Sequence, residues 1–127
     1  MKPNEISGQI VNAAMKVHTA LGPGLLGGAY EACLAHELRK RGLRVRTQVV
    51  LPIVYDGVRL DAGYRVDLLV EEVVIVELKA VVRVLPIHEA QMLSYLRLSG
   101  CKVGLLINFH VRQLRHGITR LVHDFDR

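Results

Sequence analysis

The chain has 127 residues, half of them apolar, with a net charge of +5 and a pI near 9.6. That length supports one core and a single domain over residues 1–127, and no apolar run reaches the roughly 18 residues of a membrane span. The positive charge suits a polyanionic partner, whereas a chain with only six aromatics and no Trp is poorly equipped for base stacking.

The opening MKPNEISG lacks the apolar core of a secretory signal. Cys33 and Cys101 stand far apart with no CxxC, which suggests neither a disulfide framework nor a zinc knuckle. Both are expected to be buried thiols in a reducing compartment, and a cytoplasmic location is the default expectation.

Ile6, Ile10, Ala13, Val17 and Leu21 recur near helical spacing and predict a first helix over residues 5–21, with Asn4 as its N-cap and His18 as a partly exposed position. Gly22-Pro23-Gly24 ends it. A second helix is predicted from Leu26 to Arg41, with Leu26, Tyr30, Cys33, Leu34 and Leu38 as its apolar stripe and Gly42 just past its end. Glu31 lies at the edge of that stripe, able to lean towards a site on the sheet or to remain an ordinary solvated acid.

Val45 to Tyr55 reads as a strand interrupted at Pro52, and Asp56-Gly57 as a hairpin turn into a segment returning from Val58. Tyr64 to Ala80, YRVDLLVEEVVIVELKA, reads as strand, tight turn and strand. Side chains alternate along a strand, so Glu77 and Lys79 share one face while Val76 and Leu78 share the other. An acid and an amine on an apolar strand are costly to desolvate without partners, and Asp67 is placed to add a second carboxylate. Two carboxylates and a lysine at one spot suit a divalent metal with an activated water. On the residues alone, an exposed Glu77–Lys79 pair beside a solvated Asp67 fits the same pattern.

A third helix is predicted from Ile87 to Ser99, with Ala90, Leu93, Leu96 and Leu98 inward and Gln91 and Tyr95 aligned on a neighbouring face. Lys102 to Asn108 reads as a buried strand, and Ile118 to Val122 as a short edge strand or a short helix. The order of elements predicts an α/β fold with a mixed sheet between helices.

Laid out in this way, the chain resembles the PD-(D/E)XK nuclease superfamily, and within it the GxxExxY proteins. The resemblance rests on GPGLL at Gly22–Leu26, Tyr30-Glu31, YRVDLLV at Tyr64–Val70, VIVELKA at Val74–Ala80, HEAQMLSYL at His88–Leu96 and KVGLLINF at Lys102–Phe109. It implies a restriction-endonuclease-like core, α-β-β-β-α-β, with an extra N-terminal helix. It also implies a metal-dependent nuclease using Mg²⁺ or Mn²⁺ on nucleic acid, with DNA foremost. Asp67 and Glu77 then stand as the metal-binding acids with the backbone carbonyl of Leu78, and Lys79 as the lysine beside the attacking water. Gln91 and Tyr95 match a Q-x-x-x-Y element, and Glu31 falls where many members place a further acid. Two departures stand out: Gly27 occupies the position of the signature glutamate, and Val66 that of the proline.

His88 is the one histidine expected near such a site. Arg39, Lys40, Arg41, Arg44, Arg46, Arg112, Arg115 and Arg120 are the candidates for contact with a nucleic-acid backbone, or else a solvated basic surface. The alternative function is a catalytically inactive module of the same fold that binds a protein or nucleic-acid partner, and a homodimer is compatible with either.

Overall fold

A computed structural model describes residues 1–123, so the last four residues of the expected domain lie outside the described residues. The chain opens with α1 (Pro3–Leu21) and α2 (Gly27–Lys40). Pro3 begins α1, where its fixed φ and missing N–H cost nothing, and Lys2 rather than Asn4 is the N-cap. Asn4 is inside the first turn instead, its amide oxygen accepting from Arg120. His18 is buried, contrary to the expected partial exposure, because its Nε2–H donates to the Val111 carbonyl at 2.8 Å.

The two glycines that open α2 do not delay it, since tertiary contacts at Tyr30 compensate for their weak propensity. Tyr30 is fully buried and stacks on Phe109 with ring centroids 4.4 Å apart. Its hydroxyl donates to the Gly22 carbonyl at 2.6 Å and accepts from the Leu25 N–H at 3.1 Å, which pins the connection between the helices. Leu26 caps α2 from outside the core and is 85% exposed, so it is not part of the buried stripe. Gly42, at φ +87°, follows the helix as expected.

The predicted strand interrupted at Pro52 is two strands, β1 (Val45–Val50) and β2 (Ile53–Tyr55). β2 turns at Asp56-Gly57 into β3 (Val58–Leu60), and these two form a separate hairpin. β4 (Arg65–Val70), β5 (Val74–Lys79), α3 (Pro86–Ser99), β6 (Val103–Asn108), a 3-10 turn (Leu114–Gly117) and β7 (Ile118–Val122) complete the described elements. The main sheet has the order β1-β4-β5-β6-β7; only the β5–β6 pair is parallel, with α3 as its crossover.

α1 and α2 cover one face of this sheet, packing on Leu68, Val70, Val74, Val76, Leu78, Val103, Leu105 and Ile107. α3 covers the other through Met92, Tyr95 and Leu96 against Val66 and Ile75. This is the mixed-sheet sandwich of the restriction-endonuclease-like fold. The inward side of α3 differs from the expected one: Ala90 and Leu98 are exposed, and Tyr95 is buried. Both cysteines are unpaired, and both are partly exposed rather than buried. Among the described residues, no helix is long and apolar enough to cross a membrane.

Candidate metal centre

The sheet is continuous between β5 and β6 as far as Lys79 opposite Asn108. Between β4 and β5 it is not: the ladder stops at Leu68 opposite Val76, so Asp67 and Glu77, the next pair, stand where the strands part. Each carboxylate fills the gap by taking a backbone N–H from the opposite strand. Glu77 Oε1 accepts from the Asp67 N–H at 2.9 Å, and Asp67 Oδ2 accepts from the Leu78 N–H at 2.8 Å. The two acids therefore lie together on the side predicted by strand alternation, not on opposite faces. The N–H and C=O of a strand residue point to the same edge. The Leu78 carbonyl consequently faces Asp67, while the Lys79 carbonyl faces β6 and accepts from the Phe109 N–H.

Glu77 is buried, 7% exposed. Burial, and then the charge of Asp67, raise its pKa to about 8, against an opposing pull from the Lys79 ammonium. Lys79 is thus close enough to feel Glu77, as its place two residues along the strand requires. α3 closes the site from its own side. Tyr95 is hydrogen-bonded to Gln91, and its phenol is pushed up by burial and by the neighbouring Glu77, Tyr64 and Asp67. Tyr64 meets Tyr95 edge to face with centroids 6.0 Å apart. Beside them lies an open groove of about 470 Å³, lined by Tyr64, Tyr95, Gln91, Ile53, Ile87 and Arg97.

A family model of the PD-(D/E)XK nuclease superfamily matches residues 4–121. The chain belongs to the PD-(D/E)XK nuclease superfamily. No curated protein and no solved structure matches it significantly. The domain is accordingly nuclease-like in sequence and fold.

Glu31 comes from α2, in the other layer, and it is brought to the pair by a residue with no obvious mark in the sequence. The Nε2 of Gln48 donates to Glu31 Oε1 at 2.6 Å and to Asp67 Oδ1 at 3.1 Å. Gln48 has φ +51° in the middle of β1, and the β1–β4 register skips it, passing from Thr47–Leu68 to Val49–Val66. Among the described residues, no group of three or more His, Cys, Asp or Glu side chains is gathered tightly enough to hold an ion, and the Gln48 amide stands between the second and third acids. Gly27, one helical turn before Glu31, has open space around a Cβ position.

His88 serves the start of α3: its Nδ1 accepts from the Leu85 N–H, and its backbone N–H donates to the Leu85 carbonyl. Arg44 and Arg46 belong to the opposite end of β4 and β5, where they pair with Glu71 and Glu72 of the connecting turn. Both glutamates have positive φ, and hydrogen bonding by Arg44 holds the Glu71 carboxyl below its ordinary pKa. Arg39 donates to the Val45 carbonyl, and Arg41 pairs with Glu37. Arg39, Arg41, Arg44 and Arg46 thus have partners within α2, the start of β1 and the β4–β5 turn. Arg112 and Arg115 follow β6 at the end where Lys79 and Asn108 lie, while Arg120 is in β7 and reaches Asn4.

Proposed function

We propose that this domain is a divalent-cation-dependent nuclease that hydrolyses phosphodiester bonds of nucleic acid, with DNA as the first substrate to test. The observation that carries this reading is the interleaved Asp67–Glu77 pair, with Lys79 two residues along the same strand face. Two carboxylates so close, one of them buried and reluctant to ionise, form a donor set lacking sufficient positive charge. Hard oxygen donors of this kind fit Mg²⁺ or Mn²⁺.

Asp67 and Glu77 would hold the cation with the Leu78 carbonyl, and Glu31 would add a further acid from α2. A divalent cation held there would lower the pKa of a bound water and offset charge on the phosphate. Lys79, two residues along the same strand face, would orient the water or a phosphate oxygen. Gln91 and Tyr95 fix the wall on the α3 side, and Tyr95 remains protonated as a donor. Phosphates approach from the open end, past Arg112 and Arg115. No base-reading element is evident in the described residues, which favours recognition through backbone or structure.

The test is a nuclease assay with Mg²⁺ or Mn²⁺ on linear, branched and single-stranded DNA. Wild-type cleavage that disappears in Glu77→Ala and Lys79→Ala supports the reading. Cleavage that survives both substitutions places the activity elsewhere. One observation favours a second reading, a partner-binding module without catalysis: Gly27 removes the signature acid one turn before Glu31, and its neighbourhood leaves room for a side chain that the chain does not supply. Binding of nucleic acid without turnover under all cation conditions would select that reading.

A further inference from the structure

A glutamine in the left-handed region inside a strand is unusual, because an L side chain there crowds the following carbonyl. Such a conformation persists where surrounding contacts over-determine it. At Gln48 those contacts are two carboxylates from different layers of the fold, Glu31 on α2 and Asp67 on β4. Ionised carboxylates only accept, so the amide nitrogen must face them and the amide oxygen must turn away. The left-handed backbone is what takes Gln48 out of the ladder with β4 while its neighbours Thr47 and Val49 remain paired. This amide is the link that ties Glu31 to the Asp67–Glu77 pair.

We infer that Gln48 is a positioning residue that holds Glu31 beside Asp67 at the edge of the cation site, its amide N–H groups donating to one oxygen of each acid. This inference rests on the cation-dependent reading above and adds to it the residue that decides whether the α2 acid takes part. Without the amide, Glu31 is a flexible, partly exposed side chain with little reason to remain beside Asp67. The site then keeps only the two acids of the β4–β5 gap.

The test uses the full chain titrated with Mn²⁺ alone, followed by calorimetry and by thermal melting. Gln48→Gly removes the amide while making the left-handed backbone easy, and its cation-free melting temperature should remain within a few degrees of wild type. Gln48→Asn also tolerates that backbone but is one methylene too short to bridge both acids. Both should weaken Mn²⁺ binding by about tenfold or more, the usual effect of losing a residue that orients a ligand. Glu31→Gln should weaken it similarly, and the Gln48→Gly/Glu31→Gln double variant should bind no more weakly than Glu31→Gln alone. Wild-type affinity in both Gln48 variants, or losses that multiply in the double variant, would overturn the inference. If Mn²⁺ binds wild type but not Asp67→Ala, and the Gln48 variants bind normally, only the positioning role falls. If wild type binds no Mn²⁺, the cation-dependent reading falls and takes this role with it.

Discussion

Asp67 and Glu77 exchange hydrogen bonds across the gap between β4 and β5, each carboxylate holding a backbone N–H that the sheet leaves unpaired. The arrangement resolves two demands at once. Strands that part would expose donors without acceptors, at a cost of about 1–3 kcal/mol for each buried one. Carboxylates brought that close repel, and that repulsion is what a cation relieves.

Asp67→Asn separates these two demands. The amide oxygen can still accept from Leu78, but the charge opposing Glu77 is gone. The cation-free protein is expected to gain about 1 kcal/mol near pH 8, a rise of roughly 3–6 °C in melting temperature. The same variant should lose the stabilisation that Mn²⁺ gives to wild type. Parallel melts with and without Mn²⁺ measure both effects, and a cation-free variant less stable than wild type would contradict the repulsion argument.

The raised pKa of Glu77 sets a pH dependence. Its folded value, about 8, lies above the ordinary 4.5, so the folded state holds a proton that the unfolded chain releases between those values. Cation-free stability should therefore fall as pH rises from about 4.5 to about 8, by a few kcal/mol in total if the shift is fully expressed. Glu77→Gln should flatten that slope. Over the same interval Mn²⁺ affinity should rise with pH, since the ion competes with the proton. Denaturant melts at a series of pH values, repeated with Mn²⁺, provide the comparison.

Tyr30 tests how α2 is held. Its hydroxyl satisfies the Leu25 N–H and bonds the Gly22 carbonyl, while its ring remains stacked on Phe109. Tyr30→Phe should keep the stacking and lose about 1–3 kcal/mol. Chemical denaturation gives that number. Because residue 31 follows directly, Mn²⁺ affinity should fall as well, though less than in Glu31→Gln.

The basic residues divide by location. Arg44 and Arg46 neutralise Glu71 and Glu72 at the far turn, so Arg44→Ala and Arg46→Ala should leave DNA affinity within about twofold of wild type, as surface substitutions away from an interface usually do. Arg112→Ala and Arg115→Ala should weaken binding and lower the salt slope by about 1 for each phosphate no longer neutralised. Fluorescence anisotropy across a salt series distinguishes the two sets, and an inverted order would relocate the binding face.

Much of this fold was legible locally. The two-residue alternation around Val76 and Leu78 put Glu77 and Lys79 on a shared face, Asp56-Gly57 marked its hairpin, and Gly42 marked a helix end. Local pattern served α3 less well. Ala90 and Leu98 looked inward by composition, yet helix packing turned Met92, Tyr95 and Leu96 to the sheet and left Gln91 beside Tyr95 at the site.

What the sequence determined by itself is the set of elements and the acids they carry, because side-chain period and turn chemistry act over a few neighbouring residues. Tertiary structure decided where β4 and β5 separate, which acids Arg44 and Arg46 meet, and that Gln48 turns left-handed to hold Glu31 against Asp67. Those outcomes depend on charges and hydrogen-bond partners supplied from distant parts of the chain. A glutamine inside a strand carries no local preference for that conformation.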